Sequence, residues 1–381
     1  MSAKQGANNG QGGKSSAPKL NGANSGKLRY VLDRGPGITR KRQSHHFVYR
    51  DSNGKQIADR AELDRIKSIA VPPAWTEVWI CPIANGHIQA TGRDARGRKQ
   101  YRYHPLWRRM RDADKYAHVA EFAAALPLIN RRLKRDLARD GLPREKVLAA
   151  VVRLMQHTLA RAGNVEYEKA NNSFGITTLK NRHVRIRGGR IELDFNAKSK
   201  IRHHSVVSDR KLARILRNCR DLPGSELFQF VDHQEVTRNI DSGDLNGYLR
   251  EISGRDITAK DFRTWAATNL AMIEFANLTE PRPSKKTELL VVAKVAKYLG
   301  NTSSVCRKCY IHPTVIGAYH DGSIEKIVRR FGAKHFKPAI WTNGATLTRL
   351  LARSPSEALV ERLKESIEAS RERTLRLASA S

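Results

Sequence analysis

The sequence predicts an α+β fold, with a small β-rich N-terminal domain followed by a larger, mainly α-helical domain that carries an antiparallel β insert. Three observations predict it. Short strand-like segments separated by turn residues run as far as Tyr103. Apolar residues at helical spacing take over after Pro105. Period-two alternation then returns between Phe174 and Val207, before helical spacing resumes. The expected divisions are a disordered basic tail over 1–26, a β-rich domain over 27–108 and a mainly helical domain over 109–381.

The tail is rich in Gly, Asn, Ser, Lys and Gln and lacks β-branched and aromatic residues, so nothing in it offsets the entropy of ordering. Order begins near Tyr30-Val31-Leu32. Phe47 to Arg50 reads as a strand entering the turn Asp51 to Lys55. Ala61 to Ile69 has helical spacing, and Val71-Pro72-Pro73-Ala74-Trp75 is expected to be extended because proline fixes φ. Val78 to Cys81 and His87 to Thr91 flank Asn85-Gly86, a hairpin signal. A basic turn, Arg93 to Lys99, leads into the strand Gln100 to Tyr103.

Helical texture runs from Trp107 to about Asp140. Pro143 opens the next helix, whose apolar face is Leu148, Val151, Met155 and Leu159. Gly163 is expected to end it, which puts Arg161 in or beside the last turn. In the insert, Phe174 to Leu179 reads as a strand and Lys180-Asn181-Arg182 as a turn. Val184 and Ile186 alternate with polar residues, Gly188-Gly189 turns the chain, and Ile191, Leu193 and Phe195 alternate on the way back. A further strand spans Ile201 to Val207. Thr258-x-x-Asp261 is a capping box for a helix bearing Phe262, Trp265, Ala266, Leu270 and Ile273, with Arg263 in its early turns. Leu289 to Leu299 is helical up to Gly300-Asn301, Thr302 to Ile311 is a short helix stopped by Pro313, and Glu357 to Leu377 is helical again.

Charge narrows the function. The 381 residues carry 70 Lys and Arg against 37 Asp and Glu, a formal net charge of +33. The tail contributes only Lys4, Lys14 and Lys19, so the excess lies on the folded chain. Such an excess repels itself unless a polyanion is near, and nucleic acid is the expected partner, ahead of an anionic membrane surface. No run of residues is long and apolar enough for a membrane span, and the N-terminus has no apolar core of a secretory signal. Four cysteines are too few for a disulfide framework, which fits a reducing, cytoplasmic setting.

No Gly-rich phosphate loop with a Lys-Ser/Thr ending is present, which argues against an ATP-driven motor. Cys306-x-x-Cys309-x-x-His312 resembles half a zinc site, but no second half follows and structural zinc takes four ligands, so no metal is expected. What remains is phosphoryl transfer by side chains. It needs a nucleophile, fixed donors on the non-bridging oxygens, and an acid for the leaving oxygen. Arginine suits the oxygen clamp because its planar fork is bidentate and always charged.

Five segments in order then carry a resemblance. Arg161-Ala162-Gly163, Thr178-Leu179-Lys180-Asn181, Lys260 to Thr264, Leu299-Gly300-Asn301-Thr302 and Tyr310 resemble the active-site motifs of type IB DNA topoisomerases of the compact poxvirus and bacterial kind. Arg161 precedes Tyr167 by six residues and Asn301 precedes Tyr310 by nine, as in that family. Gly92 to Tyr103 resembles the DNA-reading strand of its cap domain. The resemblance implies that cap and catalytic domains close as a clamp around duplex DNA. It implies that Tyr310 attacks a phosphodiester to form a 3′-phosphotyrosyl bond. Arg161, Arg263 and Asn301 would hold the non-bridging oxygens, and Lys180 would protonate the leaving 5′-oxygen. The nicked strand would rotate to relax supercoils and then reseal, with no ATP, metal or other cofactor. Asn301 stands where many family members have His, and a neutral amide can donate a hydrogen bond but supplies no charge or proton.

The same resemblance implies DNA contacts by Arg96, Arg98, Lys99, Gln100, Tyr101, Tyr103 and Tyr167. Gln can read an adenine edge bidentately, while the basic turn anchors on the backbone. Tyr319 is the nearest rival nucleophile, but its spacing from Asn301 is wrong. The expectation is therefore a monomeric bacterial enzyme of the nucleoid that acts on double-stranded DNA. A tyrosine recombinase and a non-catalytic DNA-packaging protein are the alternatives. A recombinase shares the Arg, Lys and Tyr set but usually has a helical N-terminal domain.

Overall fold

The computed structural model describes residues 28–44, 46–278, 283–331, 340–341, 344–351 and 357–379, so the expected tail over 1–26 lies outside the described residues. The chain divides into two compact units, Met1–Arg111 with Ser356–Ser381, and Asp112–Pro355.

The first unit is built on an antiparallel sheet. Its strands are β1 (Ile38–Gln43), β2 (His46–Arg50), β3 (Thr76–Ile80), β4 (Ile88–Arg93) and β5 (Lys99–Tyr103). They lie in the order β2-β1-β3-β4-β5. Alternation puts Ile38, Val78, Ile80 and Ala90 on the covered face, where Ile66 of helix α1 (Arg60–Ser68) completes a small core. Asp59 caps α1 by accepting from the Glu62 N–H at 2.9 Å. The segment expected to be extended before β3 instead closes a turn, with the Trp75 N–H on the Pro72 carbonyl at 3.1 Å. The Arg40 guanidinium holds that turn, donating to the carbonyls of Val71, Pro72 and Trp75 at 3.1, 2.9 and 2.8 Å.

The second unit follows along α2 (Pro105–Asp136), a helix that begins in the first. In order come α3 (Arg144–Thr158), α4 (Val165–Asn171), β6 (Val184–Arg187), β7 (Arg190–Asn196) and β8 (Arg202–Ser208). Next are α5 (Arg210–Arg220), β9 (Gln229–Val231), β10 (Thr237–Asn239), α6 (Ser242–Ser253) and α7 (Ala259–Ala276). The chain ends with α8 (Lys285–Leu299), α9 (Ser303–Cys309), α10 (Pro313–His320), α11 (Ser323–Phe331), α12 (Gly344–Leu351) and α13 (Glu357–Ser379). The insert is the antiparallel sheet β6-β7-β8, joined through Gly188-Gly189 as expected. Helix α13 returns to the first unit, where Ile367 packs with Leu28 and Met110 and Ser370 accepts from the Tyr30 N–H at 3.0 Å.

Helix α7 is the axis of the larger core. Phe262 and Trp265 are fully buried against Phe122 of α2, at ring-centroid distances of 4.8 and 5.6 Å. The expected capping box forms, with the Thr258 N–H on the Asp261 carboxylate at 2.8 Å.

Two local expectations change. Helix α3 stops at Thr158, not at Gly163, because Leu159 takes the left-handed conformation at φ 54° and its N–H caps the Met155 carbonyl. Arg161 therefore sits on a loop beyond the helix. Phe174 to Leu179 is not a strand, because Ile176–Thr178 winds into a 3₁₀ turn that hydrogen-bonds to that loop. The turn expected at Lys180-Asn181-Arg182 forms as a 3₁₀ turn over Asn181–His183, with Lys180 at its start, and leads into β6.

A buried ion cluster ties α2 to α6. The fully buried Asp136 carboxylate accepts from the Tyr248 hydroxyl at 2.9 Å and from Arg132 and Arg139 at 3.1 Å each. Burial raises the Asp136 pKa, and the Tyr248 and Arg139 hydrogen bonds more than reverse it, leaving the group below its ordinary 3.8. The stabilisation it contributes is present above 3.8 and is lost as pH falls through the lower folded value. Tyr248→Phe removes one donor from a buried carboxylate and should cost about 1–3 kcal/mol in a denaturant titration at neutral pH. Asp136→Asn should be destabilised at neutral pH but lose less further stability on acidification than the wild type.

Candidate active site

The residues singled out for chemistry come from five places in the helical unit. Arg161 is held by its backbone. Its carbonyl accepts from Ile176 N–H at 2.8 Å, and the Ala162 carbonyl accepts from Thr177 N–H at 2.6 Å. This close approach needs glycine, since a Cβ on Gly175 would lie 2.4 Å from the Gly163 nitrogen and 2.7 Å from the Arg161 carbonyl oxygen. The 3₁₀ turn that anchors Arg161 also carries the chain into Lys180.

Arg263 projects from α7 and is only 3% exposed. It donates to the Leu159 carbonyl, just past α3, and to the Leu299 carbonyl at the end of α8 at 2.8 Å. Those carbonyls are the orphaned acceptors of two helix ends, a natural place for a cation. Gly300, at φ 60°, then ends α8 as expected and delivers Asn301. The Asn301 Oδ1 accepts from Arg161 Nη2 at 2.5 Å, and its Nδ2 is buried without a partner.

Tyr310 lies directly after α9. Its carbonyl accepts from the Thr268 hydroxyl of α7 at 3.0 Å, and its ring lies 5.1 Å beneath the Arg263 guanidinium carbon. Burial raises the phenol pKa, but the charge of Arg263, aided by that of Arg161, outweighs it and holds the phenol below its ordinary value of 10.0. Arg161, Arg263, Asn301 and Tyr310 are thus brought into one cluster. Tyr319, the rival tyrosine, is 8% exposed, stacks on Phe275 and accepts from the Ser284 N–H at 3.0 Å.

Lys180 is engaged elsewhere. Its ammonium lies between the carboxylates of Glu226, at 2.6 Å, and Glu168, at 3.0 Å. Burial lowers its pKa and these two carboxylates more than restore it, so the amine stays protonated. Its backbone N–H donates to His183 Nδ1 at 3.0 Å, and burial, with the charges of Arg182 and Lys180, keeps that imidazole neutral with a pKa pushed down to about 4.

Sequence reasoning missed these partners. Glu168 follows Tyr167 directly and offered a signal, whereas Glu226, 46 residues from Lys180, offered none. It also missed Glu288. This carboxylate is 1% exposed and binds Lys285 at 2.7 Å, Arg307 at 2.7 Å and His320 at 2.8 Å. It fastens α9, and with it Tyr310, between α8 and α10. Burial raises its pKa, and these three partners bring it down to about 2.

Of the half zinc motif, Cys306 is buried in the core, Cys309 is exposed, and His312 caps α10 by accepting from Thr314 N–H at 3.1 Å. Among the described residues no group of three or more His, Cys, Asp or Glu is placed to hold a metal ion. Nor, among them, is any helix long and apolar enough to cross a membrane.

The expected DNA-reading residues lie around β5. Asp94 organises the basic turn, accepting from the backbone of Arg96 and Arg98, from the Arg98 side chain at 2.7 Å and from Gln100 Nε2 at 3.0 Å. Lys99 pairs with Asp33 at 2.5 Å. Tyr101 and Tyr103 stack at 5.7 Å on one face of the strand, while Gln100 belongs to the other, so the set divides across two faces. Tyr167 is 37% exposed on α4, in the second unit.

Comparison with known proteins places these features. The family pattern described as the catalytic core of eukaryotic DNA topoisomerase I matches residues 104–341, and that of the N-terminal domain of bacterial DNA topoisomerase IB matches 46–94. The chain is 29% identical to DNA topoisomerase 1B of Acanthamoeba polyphaga mimivirus over 297 residues, covering 75% of this chain and 88% of that one. It is 25% identical to DNA topoisomerase 1B of vaccinia virus (strain Copenhagen) over 246 residues, 63% of this chain and 74% of that one. To DNA topoisomerase 1 of Drosophila melanogaster it is 23% identical over 210 residues, 52% of this chain and 20% of that one. With its catalytic-core pattern spanning the Arg161–Asn301–Arg263–Tyr310 cluster, the chain belongs to the type IB DNA topoisomerase family.

Proposed function

We propose that this chain relaxes supercoiled DNA by cutting and resealing one strand at Tyr310. The observation that carries this reading is the Arg263 guanidinium over the Tyr310 ring, with Arg161 nearby, which together hold the phenol below its ordinary pKa. A tyrosine so placed can give up its proton and attack phosphorus. Its oxygen forms the bond to the 3′-phosphate as the bond to the 5′-oxygen breaks. Lys180, leaving Glu168 and Glu226, gives its proton to that 5′-oxygen. Arg161, Arg263 and Asn301 bind the non-bridging oxygens, where negative charge grows. After rotation, the 5′-hydroxyl attacks the phosphotyrosyl bond, returns its proton to Lys180 and releases Tyr310. The energy of the cut bond stays in the covalent link, so resealing needs no nucleotide.

In this reading 27–108 is the cap, on which α13 packs, and the rest of 109–381 is the catalytic domain, the two closing around double-stranded DNA. Arg96, Arg98, Lys99, Gln100, Tyr101, Tyr103 and Tyr167 contact it, mostly at the backbone. The enzyme works as a monomer on nucleoid DNA in a bacterial cytoplasm. The net charge of +33 supports phosphate binding along the whole chain.

Tyr310→Phe should bind duplex DNA with wild-type affinity yet form no covalent adduct on a denaturing gel and relax no plasmid. Relaxation by that variant would remove Tyr310 as nucleophile. Arg161→Ala should slow single-turnover cleavage by roughly 10²–10³-fold, as loss of a donor to a developing oxyanion does. Losing its charge also lets the phenol pKa rise, so the ascending limb of the pH–rate profile should move to higher pH. Asn301→Ala should slow cleavage by about tenfold, the worth of one neutral hydrogen bond, without weakening DNA binding in a filter assay.

A further inference from the structure

Buried polar groups in folded proteins almost always have a hydrogen-bond partner, so an unpartnered one beside a reactive group calls for an explanation. Two such atoms belong to the cluster around Tyr310, and a third lies on β8 of the insert. Asn301 Nδ2, Arg263 Nε and His203 Nε2 are all closed off from solvent and unpartnered. The first two belong to residues already given a role. His203 does not.

His203 lies on β8, paired across the sheet with Phe195 of β7. The Phe195 ring is 4.9 Å away at 33°, and Phe195 itself is 4% exposed, so it fixes one face of the imidazole. On its other side Phe195 neighbours His183 at 6.3 Å, the residue that holds the Lys180 backbone. A row of aromatic side chains thus runs from the Lys180 turn to His203. Burial together with the charges of Arg263, His204 and Arg161 pushes the His203 pKa down to about 4. No carboxylate is among the groups acting on it. This is not an ion-paired histidine. It is a neutral imidazole within the influence of two arginine charges, with one nitrogen buried and unpartnered. The ligand that completes such a set is an anion whose oxygens accept from Arg161, Arg263 and an imidazole N–H at once.

We propose that His203 is a further phosphate-binding residue of the cleavage reaction, its Nε2–H donating to a non-bridging oxygen of the phosphodiester attacked by Tyr310. The proposal rests on the assignment of Tyr310 as nucleophile. It gives the site an imidazole donor from the β insert, where the segment at Asn301 provides only an amide.

The test is single-turnover cleavage of a duplex carrying a single phosphorothioate at the scissile position, each diastereomer separately, beside the all-oxygen duplex. His203→Ala should cleave the all-oxygen duplex about tenfold or more slowly than wild type, the usual worth of a phosphate hydrogen bond in a dry site, with unchanged DNA affinity. Its penalty should shrink on the one diastereomer whose sulfur replaces the oxygen that His203 contacts, because that hydrogen bond is already weakened there. His203→Leu keeps apolar bulk against Phe195 without an N–H and should behave the same way, so it carries the test if the alanine variant does not fold. A wild-type rate in either folded variant, or a penalty equal on all three duplexes, would mean that His203 only packs, and would overturn the proposal. Wild-type adduct formation, lost in Tyr310→Phe, is measured alongside. If the wild type forms no adduct, the Tyr310 assignment fails and this one with it. If it does, the His203 result stands or falls on its own.

Discussion

The buried guanidinium of Arg263 is the interaction on which the rest of the site depends. A charge this deeply buried is tolerated only where acceptors meet it, and Arg263 finds them at the C-terminal ends of two helices, α3 and α8. The loop beyond the first end carries Arg161, and the turn beyond the second carries Asn301. One side chain therefore sets the positions of two others before any substrate arrives. The face of the same guanidinium lies over Tyr310 and lowers the cost of its ionisation. Structural and chemical roles coincide, because satisfying a buried cation and activating a phenol both require that cation to be held still.

Around this centre the protein supplies rigidity by polar pairing at short range. Glu288 gathers Lys285, Arg307 and His320 onto one buried carboxylate and so fixes α9, which carries Tyr310 at its end. Gly163 and Gly175 bring two backbone segments together more closely than side chains permit, coupling the Arg161 loop to the approach of Lys180. Lys180 itself is held apart by Glu168 and Glu226, whose charges keep it protonated and occupied.

Much of this was legible in the linear order of residues. The β-rich beginning, the helical remainder, the β6–β8 insert, the Thr258–Asp261 box and the Gly300 stop all follow from local spacing and turn chemistry, and the structure has them. The misplaced elements share a cause. Gly163 looked like a helix stop because glycine tolerates left-handed φ, yet Leu159 adopts it, and its carbonyl accepts from Arg263. Phe174 to Leu179 looked like a strand because its residues favour strands, yet its backbone pairs with the Arg161 loop and not with a ladder. In both places a contact distant in sequence overrode local preference.

The sequence by itself determined the partner and the reagents: a +33 chain bound for a polyanion, and an ordered set of Arg161, Lys180, Arg263, Asn301 and Tyr310. Charge and motif order are properties of the chain and survive without a fold. Only the tertiary structure decided how those reagents meet. Arg161 reaches Asn301 across 140 residues, Arg263 reaches Leu159 across 104, and the charges of both arginines act on His203, on a strand that no active-site motif includes. Such meetings leave no trace in local spacing, because they are set by how helices and sheet pack around α7. A buried nitrogen without a partner becomes visible only once everything around it is in place.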